Sequence, residues 1–124
     1  MPVVNFTEED IKSSYLVQNP DWYVYEITKI TEKPARSDGS PNNWITFKGQ
    51  TGEMKGVLVT KCYSSKAGWA LIPLVKACNG GKDVTAETEF ELNDLVGVRV
   101  QGMTRRGDFN GSVVNDLVDF RPVQ

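Results

Sequence analysis

Histidine is absent from the 124-residue chain, and cysteine occurs only twice. Histidine is the commonest general base near neutral pH and the commonest metal ligand, so its absence excludes histidine-based catalysis and the usual zinc sites. Neither Cys62 nor Cys78 has an activating neighbour in the sequence, and their spacing fits reduced, packed thiols. No glycine loop of the Walker type is present to hold a nucleotide phosphate. These absences predict a protein that is not an enzyme and that uses neither a metal nor a cofactor.

Long apolar runs are missing as well. No stretch of the sequence approaches the roughly 20 apolar residues that span a bilayer. Residues 1–10 lack the basic region and the apolar stretch of a secretory leader. The sequence therefore predicts a cytoplasmic protein that makes no contact with a membrane.

An excess of positive charge is the third absence. The formal net charge is −2, so the protein has no overall basic field to attract nucleic acid from a distance. The acidic residues are concentrated, however, at positions 8–10 and 83–94. A local basic surface elsewhere in the chain is therefore compatible with phosphate binding.

The residues that are present alternate in the manner of β-strands. The composition, 40% hydrophobic and 24% charged, is that of a globular protein, and the length predicts one domain over residues 1–124. Residues 1–20 are predicted to form an extension in which Thr7 caps a short helix. Alternating aromatic and β-branched residues then predict five strands, at residues 22–33, 43–48, 55–63, 98–105 and 113–120.

One longer helix is predicted between the third and fourth strands. Trp69, Ile72 and Val75 follow one another at helical spacing, and Gly80 ends the pattern. Pro73 predicts a kink or two short pieces, because an interior proline removes a hydrogen bond. Three strands, a helix and two strands are the order of the OB fold. The predicted fold class is therefore all-β with one helix, a five-stranded OB-type β-barrel.

An OB barrel binds ligands across its second and third strands and across the loops that join strands one to two and four to five. In this chain those positions hold interleaved cations and aromatic rings. A base presents its face to an aromatic ring while lysine or arginine meets its phosphate, so the mixture favours single-stranded nucleic acid. The predicted nucleic-acid-binding residues are Arg36, Trp44, Lys48, Lys55, Lys61, Tyr63, Arg105, Arg106 and Phe109.

Trp44 is the residue on which this hypothesis depends most. It alternates with Ile45 and Phe47, so it points outward if those two side chains face the core. Two alternatives stay open: Trp44 packs under the 34–42 loop, or Trp44 itself takes the core position. Tyr63 is equally compatible with capping the barrel, and the arginines of the late turn are compatible with simple solvation.

A series of short motifs after residue 20 carries a resemblance to a known family. They are Asp21-Trp22-Tyr23, Glu26-Ile27, Glu32-Lys33, Phe47 before Gly49, Met54-Lys55-Gly56, the helix from Leu71 to Ala77, Leu95-Val96-Gly97, Arg99-Val100, Phe109-Asn110-Gly111 and Asn115-Asp116. In this order they resemble the small OB-fold single-stranded-DNA-binding proteins of bacteriophages, a family often described only as a domain of unknown function. The resemblance implies protection of single strands during phage replication or recombination, beside replication or recombination proteins, in the host cytoplasm.

Two classes of function remain open on the sequence alone. The first is sequence-tolerant binding of single-stranded DNA, with Trp44 stacking on bases and the cations neutralising phosphates. The second is a protein-interaction module whose exposed strands pair with a partner or with a second copy of the chain, giving a homo-oligomer. A structural role in a virion has no positive feature in the sequence.

Overall fold

The fold is seen in a computed structural model of the chain. The structure describes residues 3, 5–7, 14–34, 39, 41–85, 91–109 and 111–123, without the side chains of residues 65–67. Arg36 lies outside these ranges. So do residues 8–13, which hold most of the helix predicted near Thr7.

Five strands form one antiparallel sheet. They are β1 (Asp21–Pro34), β2 (Pro41–Gly49), β3 (Leu58–Ser64), β4 (Arg99–Phe109) and β5 (Ser112–Pro122). The fourth strand is longer than predicted, because Phe109 still pairs with Ser112 across a tight connection. Arg105 and Arg106 therefore both lie in β4, and the predicted end of this strand at residue 105 is wrong. The third strand starts late, so Lys55 lies in the turn before it.

Short helices connect the strands. One 3-10 helix, Gly52–Met54, joins β2 to β3, and another, Leu92–Leu95, precedes β4. Between β3 and β4 a 3-10 helix, Ser65–Leu71, continues into helix α1, Ile72–Cys78. This division confirms the two short pieces predicted from Pro73, which sits in the first turn of α1, where a missing N–H costs nothing. In the ranges described, no helix is long and apolar enough to cross a membrane.

The sheet has the order β3-β2-β1-β4-β5 and is not closed into a barrel by the described residues. Strands β3 and β5 are its edges, and side chains link them at one point. Lys61 Nζ lies 3.1 Å from Asp116 Oδ1 and donates to the Leu117 carbonyl oxygen at 2.8 Å. The mostly β architecture with its helix between β3 and β4 is therefore as predicted, whereas backbone closure of the barrel is not observed.

The core lies on one face of each strand. Tyr25 and Ile27 of β1 and Ile45 and Phe47 of β2 have no exposed surface, which confirms the alternation predicted for both strands. Burying each such side chain stabilises the fold by about 1.5–3 kcal/mol. Because a one-residue slip would turn all of them to solvent, this burial fixes the register of the sheet. The remaining fully buried large apolar side chains are Met54, Leu74, Leu117, Val17 and Val100.

Residues 14–20, which we term the strap, run over the surface between β5 and the Gly52–Met54 helix. The Val17 amide donates to Asn115 Oδ1 at 2.8 Å, and Asn115 Nδ2 donates to the Tyr15 carbonyl oxygen at 2.7 Å. At the other end, Glu53 accepts hydrogen bonds from Tyr15, Gln18, Asn19 and Tyr23. The strap is thereby held to two distant parts of the sheet.

Candidate nucleic-acid interface

A largely apolar groove lies beside the free edge of β3. Its volume is about 670 Å³, within the roughly 300–1,000 Å³ of protein ligand pockets. Four parts of the molecule form it: the edge strands β3 and β5, the strap, and two aromatic side chains. The lining residues are Ser14, Tyr15, Leu16, Trp44, Leu58, Val59, Thr60, Lys61, Cys62, Phe109, Val113, Val114 and Asn115.

Trp44 and Phe109 provide the aromatic surface of the groove. Their ring centroids are 6.4 Å apart and their planes are inclined by 82°, an edge-to-face contact. Trp44 lies opposite Cys62 in the β2–β3 pairing, and Phe109, at the end of β4, is 52% exposed. Since Ile45 is fully buried, the alternative in which Trp44 takes the core position is wrong. Trp44 is half-buried, with Phe109 against it.

Four of the predicted cations are exposed, and one of them, Arg106, also holds the strap. Lys48 pairs with Leu58 of the groove in the β2–β3 register, and Lys55 lies in the turn three residues before Leu58. Arg105 lies on β4, four residues before Phe109. Lys48, Lys55 and Arg105 do not line the groove, but their exposed side chains are accessible to a phosphate.

Two of the predicted cations have structural contacts. Lys61 lines the groove, but its ammonium group bonds to Asp116 and to the Leu117 carbonyl oxygen. Arg106 Nε donates to the carbonyl oxygen of Val17 in the strap at 2.9 Å. Lys61 joins the two edge strands and its charge is paired with Asp116, whereas Arg106 holds the strap through a neutral carbonyl oxygen.

Tyr63 is not at the surface. Only 3% of the residue is exposed, and burial raises the pKa of its hydroxyl well above the ordinary value. Among the described residues that hydroxyl has no hydrogen-bond partner. A ring in this position cannot stack on a base, and we therefore leave Tyr63 out of the interface. Arg36, as noted, lies outside the described ranges.

The two thiols are free and partly buried. Cys62 lines the groove, and Cys78 ends α1. Burial raises the pKa of both, for Cys78 to about 11. A thiol in this state is mostly protonated near neutral pH and is a poor nucleophile. Cys62 therefore contributes surface to the groove and no activated sulfur.

Acidic side chains lie on the same hairpin as the arginines. Asp108 is exposed next to Phe109, and Asp116 lies opposite Arg105 in the β4–β5 pairing. The charge around the groove is therefore mixed. The groove therefore differs from the rest of the surface more in its aromatic and apolar lining than in its charge.

Sequence reasoning missed the strap and the start of β5 as parts of this site. Tyr15 and Leu16 reach the groove because Asn115 holds the strap, a contact that spans 100 residues and leaves no local pattern. Val113 and Val114 do carry a signal, since they follow Phe109 at the start of a predicted strand. A contact outside the groove was also missed: the Arg121 guanidinium lies 4.2 Å above the Trp22 ring.

The sequence matches no model of a known protein family, and no curated protein matches it. The functional assignment consequently rests on the groove and on the chemistry of its residues.

Proposed function

We propose that this protein binds single-stranded DNA with little sequence preference and acts in DNA replication or recombination. The observation that supports this most is the contact between Trp44 and Phe109. These rings come from β2 and from the end of β4, and both lie in one groove that is large enough for a ligand. The resemblance to phage single-strand binders, and with it the cytoplasm of an infected bacterium, belongs to the same proposal.

The binding surface that we propose is that of an OB-type barrel left open at one seam. The chain has three strands, a helix and two strands in order, and its edges β3 and β5 are bridged by Lys61. In OB domains the second and third strands and the late hairpin form the ligand face. In this chain β2 carries Trp44 and the late hairpin carries Phe109, and both side chains line the groove beside β3, which supports the proposal.

Stacking supplies most of the affinity in this proposal. Every base has a π-face, so an aromatic platform accepts any base and gains roughly 1–3 kcal/mol for each one that stacks. Phe109 is half-exposed, and Trp44 lies against it, so an unpaired base can lie over these rings while its sugar and phosphate stay in solvent. A duplex cannot present its bases in this way, which gives the preference for single strands.

Electrostatics supplies a smaller part. Lys48, Lys55 and Arg105 are exposed, whereas Lys61 and Arg106 are hydrogen-bonded within the protein. We assign phosphate contacts to Lys48, Lys55 and Arg105. This restricted set suits a modest, salt-sensitive interaction with a polyanion.

The test is the binding of a labelled oligothymidine, followed by fluorescence anisotropy at low salt. Trp44→Ala should weaken binding about 5- to 150-fold, which corresponds to the loss of one stacked base, about 1–3 kcal/mol. Trp69→Ala is the matched control, because Trp69 is 74% exposed on the 3-10 helix and does not line the groove. It should leave the affinity unchanged.

Absence of binding by the wild-type protein at low salt would reject the proposal outright. Equal losses in the Trp44 and Trp69 variants would move the binding surface away from the groove. The same titration with oligouridine and with duplex DNA determines whether the partner is DNA in particular and whether it must be single-stranded.

A further inference from the structure

The free edge of β3 carries backbone groups that face the groove. The Gly49 amide donates to the Val57 carbonyl oxygen, so that carbonyl points towards β2. Backbone groups in a strand alternate in direction, and residues 58, 60 and 62 must therefore point their N–H and C=O groups away from β2. All three residues line the groove. Among the described residues no strand pairs with β3 on that side, and β5 stands across the groove, joined to β3 by Lys61.

The wall opposite this edge is apolar. Leu16 of the strap, Val113 and Val114 of β5, and Phe109 face the groove. Val113 is 56% exposed and Phe109 52%. An edge with free donors and acceptors beside an apolar wall suits an extended polypeptide, whose backbone extends the sheet and whose apolar side chains fill the space.

The same chain carries a segment with these properties. Residues 3–6 read Val-Val-Asn-Phe, a β-prone run, and we call them the arm. Val3 is 84% exposed and Phe6 72% exposed. The arm precedes the groove residue Ser14 by only eight residues, yet in a single chain its described apolar side chains stay in solvent. The occupant that would bury both surfaces is therefore the arm of another copy.

We propose that the arm of one copy adds as an extended strand to the free edge of β3 in a second copy, so that the protein self-associates by arm exchange. About four extended residues cover roughly 13 Å, the length of edge over which residues 58–62 line the groove. Burial of Phe6 and Val3 against Val113, Phe109 and Leu16 stabilises the pairing. The inference requires no nucleic acid, and because the arm and a base would contact the same Phe109 ring, the two would compete for this groove.

Sedimentation equilibrium of the full chain over a wide concentration range tests it. The wild-type mass should rise with concentration above the 13.8 kDa of the monomer. Val3→Asp combined with Phe6→Asp should remain at the monomer mass, because it places two charges in an apolar wall. Val96→Asp is the control, since Val96 is 49% exposed in a turn and does not line the groove. This control should associate as the wild type does.

A second pair of variants tests the edge itself. Thr60→Pro removes the N–H that we assign to the arm, at an edge position where proline is compatible with the β2–β3 ladder. Thr60→Val keeps that N–H. Circular dichroism confirms that both variants fold. We expect Thr60→Pro to be monomeric and Thr60→Val to associate.

Three results would overturn the inference. The first is a wild-type protein that stays at the monomer mass at every concentration, which leaves a different partner, or the chain's own arm, as the occupant. The second is equal association of the Thr60→Pro and Thr60→Val proteins, which places the contact elsewhere. The third is association of the Val3 and Phe6 double variant.

Discussion

At the scale of single residues, two buried tyrosine hydroxyls differ in their surroundings. Tyr25 Oη lies 2.6 Å from Thr104 Oγ1, and Thr104 Oγ1 in turn donates to the Gly102 carbonyl oxygen at 3.2 Å. Tyr25 and Thr104 have no exposed surface, and burial raises the pKa of Tyr25 to about 12. Tyr63 has no such partner among the described residues. Because an unpaired buried hydroxyl lowers the free energy of unfolding, the hydrogen bond between Tyr25 and Thr104 should contribute measurably to stability.

Thr104→Val should lower the free energy of unfolding by about 1–3 kcal/mol, because it leaves the Tyr25 hydroxyl buried without an acceptor. Adding Tyr25→Phe should cost less in this background than in the wild type, since the stranded hydroxyl is removed. Urea unfolding of the four proteins of this cycle measures the coupling. Tyr63→Phe is the matched control and should leave stability unchanged or raised. Additive losses for Thr104 and Tyr25 would contradict the assigned hydrogen bond.

At the scale of elements, the short Gly52–Met54 helix is a junction. Met54 is buried in the core, and its carbonyl oxygen meets the backbone of Gly49 so closely that a Cβ there would lie 1.8 Å from it. The Gly49 backbone is also held on both sides, by bonds to Val57 and Gly56. On the surface of the same helix, Glu53 holds the strap. The three residues of this helix therefore connect the core to the strap, which forms one side of the groove.

Gly49→Ala should destabilise the fold by about 1–3 kcal/mol or more, because the backbone has no room to shift. Gly68→Ala is the control, since nothing lies within 4 Å of a Cβ built at that position. It should leave stability unchanged or raise it by up to about 1 kcal/mol. Thermal or urea unfolding of the two variants provides the comparison. Equal stabilities would show that the turn can relax around a methyl group.

The attachment of the strap should depend on pH. The hydrogen bond from the Gln18 amide is the largest effect that lowers the pKa of Glu53, from 4.5 to about 2, and bonds from Asn19, Tyr15 and Tyr23 act in the same direction. Because the folded pKa lies below the unfolded one, this stabilisation is complete above pH 4.5 and is lost as the pH falls through about 2.

Hydrogen-exchange protection of the Gln18 and Asn19 amides measures this attachment. In the wild type we expect protection at neutral pH and its loss between about pH 4.5 and 2. Glu53→Gln should lose protection at every pH, because its amide can no longer accept all of these bonds. Glu32→Gln, at an exposed site in β1, should behave as the wild type. Protection that is independent of pH in the wild type would exclude Glu53 as the anchor.

At the scale of the whole molecule, the sheet is open, and its predicted site cations fall into two groups: those that hold parts of the fold together and those that we assign to phosphate. Lys61 bridges the edge strands and Arg106 holds the strap, whereas Lys48, Lys55 and Arg105 are exposed. Only the cations that meet phosphate should release counterions when a polyanion binds, and we assign that role to Lys48, Lys55 and Arg105. The salt dependence of binding can therefore distinguish cations that contact phosphate from cations that have a structural role.

With three phosphate contacts, the slope of log affinity against log salt should be about −2, since each contributes about −0.7 for single strands. Arg105→Gln should reduce the magnitude of this slope by about 0.7. Lys61→Gln should leave the slope unchanged and should instead lower stability, since it removes the link between β3 and β5. Equal changes of slope in the two variants would show that Lys61 also meets phosphate.

The strands and the position of the helix could be predicted because their information is local. Alternation in β1 and β2 predicted which side chains share a face, and Pro73 predicted a kink or a division of the helix. The burial of Tyr63 also follows from local pattern, because it has the same parity in β3 as the buried Val59.

The strap and the roles of the cations could not be predicted in this way. Whether Lys61 and Arg106 are free depends on Asp116, Leu117 and Val17, which are 55 to 89 residues distant in sequence. Closure of the barrel likewise depends on how far β3 and β5 approach, which no local pattern encodes. Residue types thus indicated where a site lies, and long-range contacts determined which of its side chains are available.

The two attachments of the strap, to Glu53 and to Asn115, can form only at different stages of synthesis. Its donors at residues 15–19 meet Glu53, 34 to 38 residues later, and its bonds to Asn115 span 98 and 100 residues. As the chain leaves the ribosome, Glu53 follows the strap early, whereas Asn115 emerges only with β5. One side of the groove therefore stays unattached until β5 has been synthesised.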